Sequence, residues 1–337
     1  MLAAIAQLPE THPLAEAPES YRLGFVPAFL RAYGHRTDAR KLLQEKFFIP
    51  QPTGYSYDKF LQSAAELSVA NHIALSPVTE HDTERQMHSA GSEKDVDSYY
   101  RIGATQVALE VKCPVEEAIS PDKPTLRFDG RHPDHLEVTA ELSAIFGQAE
   151  NLPPELRHLE VAQHMDNKLK SFLTSAHDKF APSTDLDQLN VLLVACGEDL
   201  QPWHSYLKGP QGLFTPQSFW PVKDFVRTQV VILSNLKYFH TTCRAHHDWT
   251  LQNVFLLPVV NPAAENRVTS ETLRGGLSIF DHHLGTFTAF DPRSADPDVP
   301  DYIDSALKLN TYVHAGLSEQ KFARFFPCTP RRGQIKL

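Results

Sequence analysis

The chain has 337 residues, 42% of them hydrophobic, and its 32 Lys and Arg against 41 Asp and Glu give a formal net charge of −9. That length and apolar share suffice for one large core or two modest ones. The acidic balance argues against a broad basic surface that coats nucleic acid, so any such binding face must be local.

Met1 to Leu8 is apolar but has no basic flank and no long apolar core, so it does not read as a secretion signal. Residues 1–55 are expected to form a helical and loop segment, with a basic cluster between Arg31 and Lys46. Tyr57 to Ile73 then predicts a helix, with Ser56 as its N-cap and Phe60, Ala64 and Leu67 along one stripe.

Asp95 to Ile102, Gly103-Ala104 and Gln106 to Cys113 predict a β-hairpin, because Gly at the first central position of a two-residue turn suits type II′. With Ile102 facing Thr105, the register sets Ser98 against Leu109, Asp97 against Glu110 and Asp95 against Lys112. Val107, Leu109, Val111 and Cys113 share the core face, which leaves Glu110 and Lys112 together on the other. Opposed carboxylates destabilise a ladder, whereas a divalent cation such as Mg²⁺ wants such hard oxygen ligands. Asp97 and Glu110 are therefore candidate ligands of a shared Mg²⁺ or Mn²⁺, with Asp95 in reserve. Lys112 beside them is a candidate for holding the attacking water and offsetting charge on a scissile phosphate. The plain alternative is a solvated outer face that happens to carry these charges.

Residues 114–154 are rich in Pro and charge and read as an insertion. Glu155 to Leu173 predicts a helix through Leu159, Ala162, Met165, Leu169 and Phe172, with Gln163, Asn167 and Lys170 on another face and Lys168 and Lys170 available to phosphate. Leu189 to Cys196 has the length and composition of a buried strand. Val222 to Ser234, Leu251 to Val260 and Leu277 to Phe280 are strand-like runs that extend the sheet or form a small added domain over residues 201–337.

Asp97 followed by Glu110-x-Lys112 on the next strand resembles the PD-(D/E)xK nuclease superfamily. The resemblance covers roughly residues 56–196 and departs from the family pattern where Val96 precedes Asp97. It implies an α/β, restriction-endonuclease-like core over residues 56–200, with a mixed central sheet flanked by helices and a C-terminal extension. It further implies a metal-dependent nuclease acting on DNA, with Glu66 of the first helix as an outer metal ligand and Gln163 reaching the site from the second. Nucleic acid is then the main partner, with a protein partner for delivery or regulation, and the same fold without catalysis would be a binding or scaffold protein.

Among 17 histidines, His246-His247-Asp248 and Asp281-His282-His283 stand out. The second is similar to the DHH phosphoesterase signature, with Asp95-x-Asp97 as an echo of that family's early D-x-D. His240, His246 and His247 are also candidates for lining a substrate groove, and the other basic cluster is the tail with Arg331, Arg332 and Lys336. Cys113, Cys196, Cys243 and Cys328 form no C-x-x-C pair, which predicts reduced thiols rather than a zinc site or a disulfide framework. No run approaches eighteen apolar residues, so a cytoplasmic protein without a membrane span is expected.

Overall fold

In the computed structural model, which describes residues 1–50, 55–87, 94–115, 165–182, 187–197, 200–218, 220–252, 254–266 and 269–280 together with 141 and 144, the sheet is organised by the turn at Gly103. Gly103 has a φ of 57°, as the first central residue of a type II′ turn requires. Strands β2 (Asp95–Ile102) and β3 (Thr105–Lys112) pair antiparallel from Ile102↔Thr105 to Ser98↔Leu109, the register that the two-residue turn dictates.

β1 (Glu80–Gln86) pairs antiparallel with β2 on the outer side. β4 (Gln188–Ala195) lies parallel to β3, β5 (Val230–Ser234) parallel to β4, and β6 (Leu256–Val260) antiparallel to β5. The result is one six-stranded mixed sheet in chain order, flanked by helices. Parallel neighbours need crossovers; helix α5 (Met165–Lys179) lies on the path from β3 to β4, and α6 (Gln201–Lys208) on the path from β4 to β5.

On one face, Val107, Leu109 and Val111 pack with Phe60, Leu61 and Ala64 of α4 (Tyr57–Leu75) and with Phe25, Phe29 and Tyr33 of α2 (Glu19–Tyr33). On the other, Ala108, Leu192 and Val194 meet Leu169, Leu173 and Ala176 of α5 and Trp203 and Leu207 of α6. Both faces of β3 are therefore buried, so the face that carries Glu110 is not the solvated outer face of the plain alternative. β4 reads as a continuous apolar run because it is central and covered on both sides. Nearly all of α4 from Phe60 to Ile73 is buried, so it is an interior helix rather than one with a single apolar stripe.

Three sequence expectations shift. The second core helix continues past Leu173 to Lys179, and its buried stripe is Leu169, Leu173, Ala176 and Phe180, leaving Phe172 only partly covered. Within Val222 to Ser234 only Val230–Ser234 is a strand, since Val222–Phe225 forms a 3₁₀ turn. Ser278–Phe280 is another 3₁₀ turn, because this apolar run packs against α4, with Phe280 stacked on His72 and the Ile279 carbonyl 2.8 Å from His72 Nε2.

Cys113 and Cys196 are buried free thiols, whereas Cys328 lies outside the described residues. Among the described residues no helix is long and apolar enough to cross a membrane.

Candidate functional site

The ladder between β2 and β3 stops at Ser98↔Leu109, and the site lies where it stops. Val96 and Tyr100 have the same parity, yet Tyr100 joins the core under α4 and Val96 the core under α5, so β2 changes face between them. Glu84 of β1 stands between the pairs Thr83↔Ser98 and Arg85↔Val96 with a φ of 54°, left-handed backbone that is unusual for a non-glycine residue.

Side chains take over the backbone groups that β2 abandons. The Val111 N–H donates to Asp97 Oδ2 at 2.7 Å, Gln62 Nε2 of α4 donates to the Val111 carbonyl at 2.8 Å, and the Cys113 N–H donates to Gln62 Oε1 at 2.7 Å. Asp97 and Glu110 are thus not a ladder pair, as the sequence register would have them. Asp97 reaches the edge of β3 with its carboxylate instead.

Three ammonium groups converge on the carboxylates. Lys112 Nζ and Lys179 Nζ each lie 2.7 Å from Glu110 Oε1, and Lys179 also donates to Glu110 Oε2 at 3.0 Å and stands 4.0 Å from Asp97 Oδ1. Lys46 of α3 (Ala39–Phe47) bridges Glu66 Oε2 at 2.7 Å and Glu84 Oε1 at 2.9 Å, while Gln62 Nε2 donates to Glu66 Oε1 at 2.7 Å. Glu110 is fully buried and Glu66 nearly so, whereas Lys112 keeps 21% of its side chain exposed.

The lysines do not fully compensate this acidity. Burial pushes the Asp97 pKa well above the usual carboxylate value, Glu110 and Glu66 push it further, and Lys179 and Lys112 only partly oppose them. Burial works to lower the Lys179 pKa, but Asp97 and Glu110 outweigh it and hold the ammonium charged. Tyr33 adds a buried phenol to the same field, its pKa raised by burial.

Among the described residues, no three His, Cys, Asp or Glu side chains form a ready metal shell, and ammonium groups lie against the carboxylates. The donor chemistry nonetheless fits a hard divalent cation. It offers carboxylate oxygens only, and Glu110 Oε1, though close to two ammoniums, accepts no well-aligned hydrogen bond.

Glu66, Asp97, Glu110 and Lys112 are thus brought into one charged cluster. Asp95 sits apart at the start of β2 opposite Gln86, although its charge acts on Lys179. Gln163, Asp281, His282, His283, Arg331, Arg332 and Lys336 lie outside the described residues. Lys168 donates to the Val115 carbonyl and Lys170 lies over the Trp220 ring at 4.4 Å, so both have local roles in packing.

The groove reading of His240 and His247 is not supported. Both are buried, with Nε2 atoms 3.1 Å from Ser68 Oγ and ring centroids 4.4 Å apart, and His240 Nδ1 is 2.7 Å from the Tyr21 hydroxyl. His246 ends a short 3₁₀ turn and has an exposed side chain.

Sequence reading missed Lys179, Gln62 and Glu84, and gave Lys46 only as the end of a basic cluster. For Lys179 a signal existed, because the apolar spacing Leu169, Leu173, Ala176, Phe180 carries the helix far enough to include it. Comparisons with protein-family models, with curated proteins and with solved structures found no match.

Proposed function

We propose that the chain is a divalent-cation-dependent nuclease with a restriction-endonuclease-like core, hydrolysing phosphodiester bonds in DNA. One observation carries the reading: Asp97, Glu110 and Lys112 meet beside Glu66 at the point where β2 leaves β3. The order of elements supports it, namely a helix, a three-strand antiparallel meander, a second helix and a strand parallel to the third.

Asp97, Glu110 and Glu66 would hold Mg²⁺ or Mn²⁺, which when bound lowers the pKa of an attacking water and offsets charge on the phosphate. The protein's own groups prepare the rest. Glu110 holds the Lys112 ammonium in place, and the exposed part of Lys112 is free to orient a water or donate to a phosphate oxygen. Asp97 is fixed by its bond from the Val111 N–H, and Gln62 ties α4, and with it Glu66, to the end of β3. Burial of Glu110 under the α5 layer keeps bulk water from screening these charges.

Incubation of the purified full chain with plasmid DNA, and with single-stranded DNA and RNA, tests the reading in Mg²⁺ or Mn²⁺ against EDTA. Cation-dependent cleavage that falls by at least about 100-fold in Lys112→Ala is expected. A Lys112→Ala protein that cuts as fast as the wild type would show that another group performs the chemistry.

A further inference from the structure

We infer that Lys179 is an internal counter-ion, seated against Asp97 and Glu110 in the metal-free protein and displaced by the divalent cation that those carboxylates bind. The inference rests on the proposed cation site and adds how that site is controlled.

The geometry sets Lys179 apart from Lys112. Its ammonium contacts both Glu110 oxygens, at 2.7 and 3.0 Å, and reaches Asp97 Oδ1 at 4.0 Å, so it lies against the two carboxylates that would share a cation. Among the described residues Lys112 forms an ion pair with Glu110 alone, and it already supplies one positive charge to it. Lys179 is thus the second ammonium on a single carboxylate, and among the described residues its other ion-pair contact is Asp97.

Its place in the fold allows it to leave. Lys179 is the last residue of α5, keeps 19% of its side chain exposed, and has a flexible four-carbon stem that can carry the ammonium outward. Asp95, part-exposed at the start of β2, already acts on Lys179 electrostatically and offers the displaced ammonium a second partner. Like charges cannot share the seat, so ammonium and divalent cation exclude one another, and each weakens the other by the same factor.

Two measurements on the full-length chain test the exchange. Calorimetric titration with Mg²⁺ and Mn²⁺ is expected to give a Kd about tenfold lower in Lys179→Met than in the wild type, with binding lost in Glu110→Gln. Amine labelling of the wild type, read by mass spectrometry, is expected to rise several-fold at Lys179 when Mg²⁺ is added, and this does not depend on how well a variant folds. Equal or weaker binding in Lys179→Met, or unchanged labelling of Lys179 at saturating Mg²⁺, would overturn the exchange while leaving the cation site standing. Absence of cation binding in wild type and Lys179→Met alike would overturn both.

Discussion

At the scale of single residues, the most consequential group is Asp97. Its carboxylate closes a gap in the backbone ladder by accepting from the Val111 N–H, yet it lies part-buried near Glu110 and Glu66. Because its pKa is raised in the fold, its ionisation disfavours the metal-free protein. The stability tied to the protonated form is full below the unfolded value and is lost as pH rises through the folded one. Asp97→Asn keeps the acceptor oxygen and removes the charge. It should therefore raise metal-free stability at neutral pH by about 0.5–2 kcal/mol while abolishing cleavage, which urea denaturation and a nicking assay would check together. A destabilised Asp97→Asn protein would mean that the ion pair with Lys179 outweighs repulsion from the other carboxylates.

At the scale of elements, Gln62 joins the site to the fold. Its amide both donates to Val111 O and accepts from Cys113 N–H, which continues along β3 the pairing that β2 gives up. Left unpaired and buried, such backbone groups are costly. Gln62→Ala should lower stability by about 1–3 kcal/mol in denaturant titration and slow cleavage, because Glu66 loses a bond as well. A neutral Gln62→Ala substitution would show that water replaces the clamp.

The same stretch marks the boundary of what could be read from sequence. Gly103-Ala104 fixed five residue pairs because turn length determines register, and Glu110 and Lys112 shared a face by strand parity alone. Counting further assumed a regular ladder. The departure at Asp97 depends on a side chain replacing a backbone partner and on left-handed Glu84, and neither has a periodic signature. Lys46 comes from a helix distant in sequence and enters only through tertiary packing, so no local spacing points to it.

At the scale of the whole molecule, a second polar region lies apart from the carboxylates: Tyr21, Ser68, His240 and His247 form a buried hydrogen-bonded cluster against α4. Burial lowers the His240 pKa well below its ordinary value, with His247 and Arg244 adding to the effect, and burial lowers His247 to about 4 against a smaller opposing effect of Asp248. Both histidines are therefore neutral in the fold. Their contribution is full above the unfolded value near 6.5 and is lost as pH falls toward 4, on the order of 3 kcal/mol from His247 alone. Thermal melts from pH 7 to pH 4.5 should show a falling Tm, less steep in His247→Gln. Parallel slopes for the two proteins would place the acid sensitivity elsewhere.

Cleavage kinetics of the wild-type chain beside Lys112→Ala and Glu110→Gln bear most directly on the proposed chemistry. Phosphodiester cleavage should require Mg²⁺ or Mn²⁺, stop with EDTA and fall by at least about 100-fold in both variants, each shown to be folded. Folded wild-type protein that leaves DNA and RNA intact with either cation, or variants that cut at the wild-type rate, would contradict a nuclease site built on Asp97, Glu110 and Lys112.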